Sequence, residues 1–283
     1  MYMETFIKDA LSTKPTLSKI SLTPLKALND GRSGAHVFEV VGKDLILKLY
    51  PARKGVVNDE HYIRSIRDIV MTKITPDTIS PRVEQFGITE SCRPYLVMEK
   101  IKGIELYNYV PNGSLRDVRI LYSIVEALKT FYENCENVYN KTHKGTLQTC
   151  HRDLHPHNIF IVGDEVKLID FDLAICPYDI LRDSETTKRQ NALHRPWLQL
   201  IMGNYSRSTE EYVHWSNLME SVPKYIQEDS DLFQLYSVFR YFEHHNKKLV
   251  ILTSQLRKEA NKEMFLKKSS MILKSLKKYN IQF

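Results

Sequence analysis

The first hundred residues alternate short apolar runs with turn residues, a pattern that predicts strands. Four runs rich in apolar and β-branched residues carry it: 36–41, 45–50, 83–88 and 95–99. Gly42 and Lys43 separate the first two runs, as expected for an antiparallel hairpin. Over 57–73 the apolar positions recur instead at intervals of three and four, which predicts one helix with a buried face.

After about residue 100 the pattern becomes mainly helical. Apolar residues recur at three and four across 115–132, a segment longer than any of the strands, which predicts a core helix. A compact strand-turn-strand unit follows over 158–170 and turns at Gly163 and Asp164. Helical spacing returns from Asp231 onward.

This change of pattern predicts an α+β protein with a small antiparallel-sheet lobe over 1–100 and a larger, mainly helical lobe over 101–283. A length of 283 residues, 42% hydrophobic and 26% charged, is typical of a globular protein and excludes disordered and fibrous classes. Glu4, Lys8 and Asp9 interrupt the stretch that a signal peptide would need, and no run approaches the roughly 18 apolar residues of a spanning helix. We expect a soluble, cytoplasmic protein.

The four cysteines indicate the same compartment. Cys92, Cys135, Cys150 and Cys176 show neither Cys-x-x-Cys pairing nor a histidine at zinc spacing. This usage is typical of a reducing compartment, and we interpret all four as ordinary buried thiols.

The net charge of +6 comes from the C-terminal tail. Residues 247–283 carry ten Lys or Arg against two Glu, a net +8, which leaves residues 1–246 at −2. Apolar residues in the tail have helical spacing with lysines between them, which predicts terminal helices with a solvated lysine face. The alternative is a basic amphipathic helix on an anionic membrane surface. No nucleic-acid partner is expected, because no aromatic-basic interleaving accompanies the charge.

Candidate chemistry concentrates on both sides of the strand-turn-strand unit. Asp153 and Asn158 lie five residues apart on a proline-containing loop before it, and Asp170 stands at its far end. Two carboxylates and an amide can then converge, and such oxygen ligands suit Mg²⁺, which usually shares its site with phosphates. The alternative is a surface loop whose polar side chains are solvated.

The stretch H-R-D-L-H-P-H-N, followed by L-I-D-F-D, resembles the catalytic and magnesium loops of the protein-kinase-like superfamily, H-R-D-x-x-x-x-N and D-F-G. The resemblance implies a two-lobed fold and ATP- and Mg²⁺-dependent phosphoryl transfer. It implies that Asp153 serves the attacking hydroxyl and that Asn158 and Asp170 hold metal. His151 and Arg152 would support the loop.

Earlier residues fit the same resemblance. The string G-R-S-G-A-H-V-F is similar to the nucleotide loop of aminoglycoside phosphotransferases, the small-molecule branch, which implies that Gly31, Ser33 and Gly34 meet the phosphates. Lys48 matches the strand lysine that contacts the α- and β-phosphates. Taken without the resemblance, Lys48 could equally point to solvent from the alternating face of its strand.

The resemblance also implies an ion-pair partner for Lys48 on the following helix. We choose Glu60, with Asp59 as the alternative. Neighbouring helix residues point about 100° apart, so only one of the two can face the lysine.

The segment from Tyr95 to Leu106 resembles the last strand and hinge of a kinase N-lobe. It implies that Met98 lies at the back of an adenine pocket and that the backbone of Glu99 and Ile101 bonds the adenine edge. Asp231 resembles the residue that bonds the backbone of the catalytic loop, although a plain helix N-terminal role would favour an aspartate equally.

Some positions depart from the protein-kinase pattern. Asp172 replaces the usual glycine, which restricts the loop or adds a metal ligand, and His155 replaces a lysine. No A-P-E occurs between Asp172 and Asp231. We predict a kinase that acts on Ser or Thr of a protein. The alternatives are a small-molecule kinase of the aminoglycoside, choline or sugar type, and a pseudokinase that binds a nucleotide or a protein.

Overall fold

The computed structural model describes residues 22–24, 35–40, 42–52, 60–89, 91–141, 149–175, 177, 230–245, 249 and 262–278. They form an α+β protein of small antiparallel sheets and helices, as the sequence predicts. Contacts divide the chain into two compact units, each taken by itself below. The first holds the described residues up to Lys102, from Glu133 to Thr149 and from Ile169 to Pro177. The second holds those from Gly103 to Tyr132, from Cys150 to Leu168 and from Ser230 on.

The first unit contains a five-stranded antiparallel sheet in the order β1-β2-β3-β5-β4. Its strands are β1 (Leu22–Pro24), β2 (His36–Val40), β3 (Leu45–Leu49), β4 (Val83–Ile88) and β5 (Pro94–Glu99). The predicted hairpin is confirmed as β2 and β3. Lys48 lies opposite Val37 on one side and Leu96 on the other, so it occupies a central strand.

Helix α1 (Glu60–Ile74) belongs to the same unit and corresponds to the predicted helix, whose first residues, 57–59, lie outside the described ones. Ile69 packs with Tyr50 and Leu96 in one apolar cluster, which places α1 against the sheet. Arg67 and Asp68 of α1 are also buried, and Asp68 accepts a hydrogen bond from Tyr50 of this cluster. The apolar periodicity did not predict these buried polar side chains.

The second unit contains a three-stranded antiparallel sheet of β6 (Ile104–Glu105), β7 (Ile159–Val162) and β8 (Glu165–Leu168). The predicted strand-turn-strand unit is confirmed as β7 and β8, with Gly163 at φ +66° in the turn. Strand β8 ends at Leu168, so Asp170 lies beyond the strand instead of at its end. Just before β6, a Cβ on Gly103 would lie 2.3 Å from the carbonyl oxygen of Ile161, so only glycine fits there.

Three longer helices follow: α2 (Leu115–Asn140), α3 (Ser230–His245) and α4 (Lys262–Lys278). The predicted core helix is confirmed by α2, in which Val118 and Leu128 are fully buried. Phe239 of α3 stacks on Phe265 of α4 with ring centres 6.2 Å apart. These contacts build the apolar core of the second unit.

Helix α4 confirms the predicted helix with an exposed lysine face over Lys262–Lys278, while the rest of the predicted tail helices, apart from Leu249, lies outside the described residues. Lys267 and Lys274 are exposed, whereas Phe265 and Leu273 are buried. Met264, one of the apolar residues of the tail, is 45% exposed because it falls on the lysine side of the helix. Contact of this face with an anionic membrane stays a prediction. Among the helices that the structure describes, none combines the length and apolarity needed to cross a bilayer.

The interpretation of the cysteines as buried thiols holds for Cys135 and Cys150, which are buried. It is wrong for Cys92, which is an exposed free thiol. Cys92 lies in the turn between β4 and β5, where its N–H donates to the carbonyl oxygen of Thr89 at 2.9 Å, and turns of this kind lie at the surface. Cys176 lies outside the described residues.

Candidate functional site

Lys48 lies at the centre of an ion-pair network in the first unit. Its Nζ donates to Oδ2 of Asp68 at 2.6 Å and to Oδ1 of Asp170 at 2.5 Å. The side chain of Lys48 is 11% exposed, that of Asp68 2% and that of Asp170 29%. The charge is therefore paired and not solvated, which decides against the reading that Lys48 points to solvent.

The partner of Lys48 on helix α1 is Asp68, which corrects the choice of Glu60 or Asp59. Eight residues separate Glu60 from Asp68, about 12 Å along a helix axis, so a different turn of α1 approaches the lysine. The side chain of Glu60 and all of Asp59 lie outside the described residues. Packing of α1 on the sheet selects this turn, and a choice made by distance along the sequence could not anticipate it.

Asp68 joins three parts of the first unit through its two carboxylate oxygens. Oδ2 accepts from Lys48 and from the Tyr50 hydroxyl at 2.5 Å, while Oδ1 accepts from the backbone N–H of Phe171 at 2.8 Å. Strand β3, helix α1 and the Asp170 segment thus meet on one buried carboxylate. Hydrogen bonds to a charged group are about twice as strong as neutral ones, so this junction is stable.

Burial and charge act in opposite directions on Lys48. Burial lowers the pKa of its ammonium, but the nearby carboxylates Asp170 and Asp68 outweigh burial and hold the pKa well above its usual value. Burial, with the charge of Asp68 added, also raises the pKa of Tyr50 well above its usual value. Lys48 therefore stays charged, and Tyr50 stays a hydrogen-bond donor.

The segment Asp170, Phe171 and Asp172 carries two carboxylates close together. Asp170 adopts φ +63°, a left-handed conformation that costs a non-glycine residue about 1–3 kcal/mol. Oxygens of Asp170 and Asp172 lie within 4.8 Å of each other. Arg67 of α1 donates to the carbonyl oxygen of Asp172 at 2.8 Å. The two carboxylates offer the oxygen donors that a hard cation prefers.

In the second unit, Asn158 is turned toward Asp153. Its Nδ2 donates to the carbonyl oxygen of Asp153 at 2.9 Å and to Oδ2 at 3.0 Å. Nε2 of His155 lies 3.4 Å from the same Oδ2. A short 3₁₀ turn over Pro156–Asn158 brings these groups together, because Asn158 N–H donates to the carbonyl oxygen of His155 at 2.7 Å. With its Nδ2 engaged, Asn158 has its amide oxygen as the atom that could ligate a cation.

The carboxylate of Asp231 anchors this loop by binding the loop's backbone N–H groups. Its carboxylate accepts from the N–H groups of His151 at 2.6 Å and Arg152 at 2.7 Å, and from the Tyr132 hydroxyl at 2.6 Å. Asp231 is fully buried, and Arg152 adopts φ +66°. The prediction that Asp231 bonds the backbone of the loop is confirmed, and its role exceeds that of a helix N-terminal residue.

A histidine contact near this loop was not predicted from the sequence. His157 Nδ1 lies 2.7 Å from Oε2 of Glu105, and the His157 ring stacks on Tyr107 with centres 3.9 Å apart. Pairing of β6 with β7 brings these residues together, since Glu105 lies opposite Phe160. No sequence signal marks this contact, because it depends on a two-residue strand.

The predicted hinge residues lie at and after the end of β5. Met98 is half-buried against the cluster of Tyr50, Ile69 and Leu96. Glu99 is held just before β4, where its N–H donates to the carbonyl oxygen of Arg82 at 2.9 Å. Their part in binding adenine, and that of Ile101, stays a prediction. The same holds for Gly31, Ser33 and Gly34, which lie outside the described residues.

Comparison with known proteins adds no assignment. No family model matches the chain, and no curated protein matches it.

Proposed function

We propose that this chain is a kinase of the protein-kinase-like, two-lobed type that transfers the γ-phosphoryl group of ATP to Ser or Thr of a protein with Mg²⁺. The observation that carries the proposal is the pairing of Lys48 with Asp68 and Asp170. A buried strand lysine held by a helix carboxylate, next to the aspartate of the D-F-D segment, resembles the arrangement that protein kinases use for phosphoryl transfer. The anchoring of the H-R-D loop by Asp231 adds support.

Each residue then has a role that its surroundings permit. Lys48, charged and preorganised, contacts the nucleotide phosphates, and Asp68 fixes it. Asp153 orients the acceptor hydroxyl and takes its proton. Asp170 would serve as a Mg²⁺ ligand through its carboxylate and Asn158 through its amide oxygen, and Mg²⁺ would neutralise phosphate charge. Positioning and electrostatic stabilisation supply most of the rate in such reactions.

A small-molecule acceptor is the second candidate. Nε2 of His155 lies 3.4 Å from Oδ2 of Asp153. Protein kinases that act on Ser or Thr carry a lysine at the position of His155. Asp172 and the Gly31 to Gly34 string also favour this alternative. The third candidate is a pseudokinase, which the presence of Lys48, Asp153, Asn158 and Asp170 disfavours.

The test is intact-protein mass spectrometry after incubation with MgATP. We expect phosphate-sized mass additions in the wild type and none in Asp153→Asn. Asp170→Asn should be at least as damaging, because it removes both a metal ligand and a partner of Lys48. Asp164→Asn is the matched control, since Asp164 pairs with Arg119 on a half-exposed surface and should keep wild-type transfer.

The remaining outcomes separate the alternatives. If no chain gains mass, a panel of hydroxylated small molecules with an ATP-consumption readout tests the second candidate. If that panel is silent while MgATP raises the melting temperature, the chain is a nucleotide-binding pseudokinase. Wild-type transfer that persists in both Asp153→Asn and Asp170→Asn would contradict the proposed roles.

A further inference from the structure

We propose that Tyr50 is a positioning residue for the nucleotide lysine: its hydroxyl holds Asp68, and through Asp68 it fixes the ammonium of Lys48. This inference rests on the proposed function and extends it to a residue that no motif marks.

Tyr50 contacts both members of the ion pair. It follows Lys48 by two residues, so the two side chains leave the backbone on the same side. The Tyr50 hydroxyl donates at 2.5 Å to the same Asp68 Oδ2 that accepts from Lys48 at 2.6 Å. The Lys48 ammonium also lies 5.3 Å from the centre of the Tyr50 ring, within range of a cation–π contact. Lys48 and Asp68 thus share one aromatic neighbour.

Tyr50 is itself held firmly. It is 1% exposed. Its backbone N–H donates to the carbonyl oxygen of Pro94 at 2.9 Å, and its carbonyl oxygen accepts from Nε of Arg93 at 2.8 Å. A residue fixed at both ends of its backbone can hold a carboxylate in one place. Tyr50 therefore fixes Asp68 relative to strand β5.

The need for this hold arises when Asp170 binds a cation. Lys48 shares its charge between Asp68 and Asp170, and Asp170 is the more exposed partner, at 29% against 2%. When Asp170 ligates a metal, the orientation of Lys48 depends on Asp68. The Tyr50 hydroxyl then keeps Asp68 in place, so its loss should weaken nucleotide binding more than it weakens the fold.

The experiment compares Tyr50→Phe with Tyr109→Phe. Tyr109 is a matched control, because its hydroxyl also donates to a buried carboxylate, Asp117, at 2.6 Å. We expect Tyr50→Phe to raise the Kd and KM for MgATP about tenfold and to change kcat by less than about threefold. Tyr109→Phe should change these constants by less than about twofold, although both variants lose a similar bond and a similar amount of thermal stability.

A second, nucleotide-free measurement separates this inference from the proposed function. Hydrogen exchange of the Phe171 amide, which donates to Asp68 Oδ1, should accelerate about tenfold in Tyr50→Phe and stay unchanged in Tyr109→Phe. If the wild type does not bind MgATP while this exchange responds, the kinase function is overturned and the hold of Tyr50 on Asp68 is supported. If the wild type binds MgATP and both variants bind it equally well, the inference is overturned.

A double variant tests the route through Asp68. In an Asp68→Ala background, adding Tyr50→Phe should cause no further loss of MgATP affinity, because the alanine side chain leaves the hydroxyl no acceptor to hold. A further tenfold loss would show that Tyr50 acts directly on the nucleotide, which contradicts a positioning role. This comparison depends on a difference within one background, so it remains decisive if Asp68→Ala is itself destabilised.

Discussion

The structure predicts that the substitution Asp231→Asn causes a large loss of stability. The wild-type carboxylate is fully buried and accepts from two backbone N–H groups, those of His151 and Arg152, and from the Tyr132 hydroxyl. An asparagine has the same shape but only one acceptor oxygen. At least one backbone N–H must then face the new NH₂ group without an acceptor.

The magnitude follows from two contributions. A hydrogen bond to a charged group contributes roughly 1.5–3 kcal/mol, and a buried donor left unsatisfied costs about 1–3 kcal/mol more. We therefore expect Asp231→Asn to lower the free energy of unfolding by about 3–5 kcal/mol. Because typical domains have only about 5–15 kcal/mol in total, the variant should unfold at a much lower urea concentration.

The assay is urea unfolding followed by far-UV circular dichroism. Asp164→Asn is the control, since the Asp164 side chain is 43% exposed and pairs with Arg119 at 2.9 Å, a surface contact worth about 0–1 kcal/mol. A difference of less than about 0.5 kcal/mol between the two variants would refute the reasoning. In that case the buried carboxylate of Asp231 would not support the loop.

Two further predictions concern other buried polar groups. Gln234 is 2% exposed and its amide has no hydrogen-bond partner among the described residues, so Gln234→Met should raise the free energy of unfolding by about 1–3 kcal/mol; a lower urea midpoint would contradict this. Burial, followed by the hydrogen bond to Asp117, raises the pKa of Tyr109 above its usual value. The unfolded chain therefore loses this proton first above about pH 10, and stability falls as pH rises. Tyr109→Phe should make that fall shallower in unfolding curves between pH 9 and 11.5, and an unchanged slope would count against the assignment.

The local secondary-structure elements could be predicted from the sequence, and so could the loop that carries the spaced polar residues Asp153 and Asn158. Period-two and period-three-to-four patterns gave the β2–β3 hairpin and the α2 helix, because each depends on residues close in sequence. The role of Asp231 in holding the loop was implied by the resemblance of its segment to protein kinases, beside the alternative of a plain helix N-terminal residue, and the structure shows the contact. Strand β8 ended earlier than predicted, as strand ends usually lie within a few residues of the expected position.

Contacts between distant elements could not be predicted in the same way. The helix partner of Lys48 depends on which turn of α1 meets the sheet, and packing, not proximity in sequence, made it Asp68 instead of Glu60. Tyr50 looks like an ordinary apolar residue at a strand end until its hydroxyl is seen on Asp68. The contact between His157 and Glu105 depends on the two-residue strand β6, which carries too few positions for a pattern.

The order in which the chain emerges during synthesis bears on how the Lys48 network assembles. Lys48 and Asp68 are separated by 20 residues, whereas Lys48 and Asp170 are separated by 122. The first pair can form as soon as the five-stranded sheet and α1 are complete, but the second carboxylate arrives only after more than half of the chain has been made. A fragment that stops at Lys102 would keep the sheet and lose Asp170, the Phe171 amide and the Asp172 carbonyl. Segments that lie far along the chain thus complete the first unit. A single cut in the chain therefore cannot isolate this unit intact.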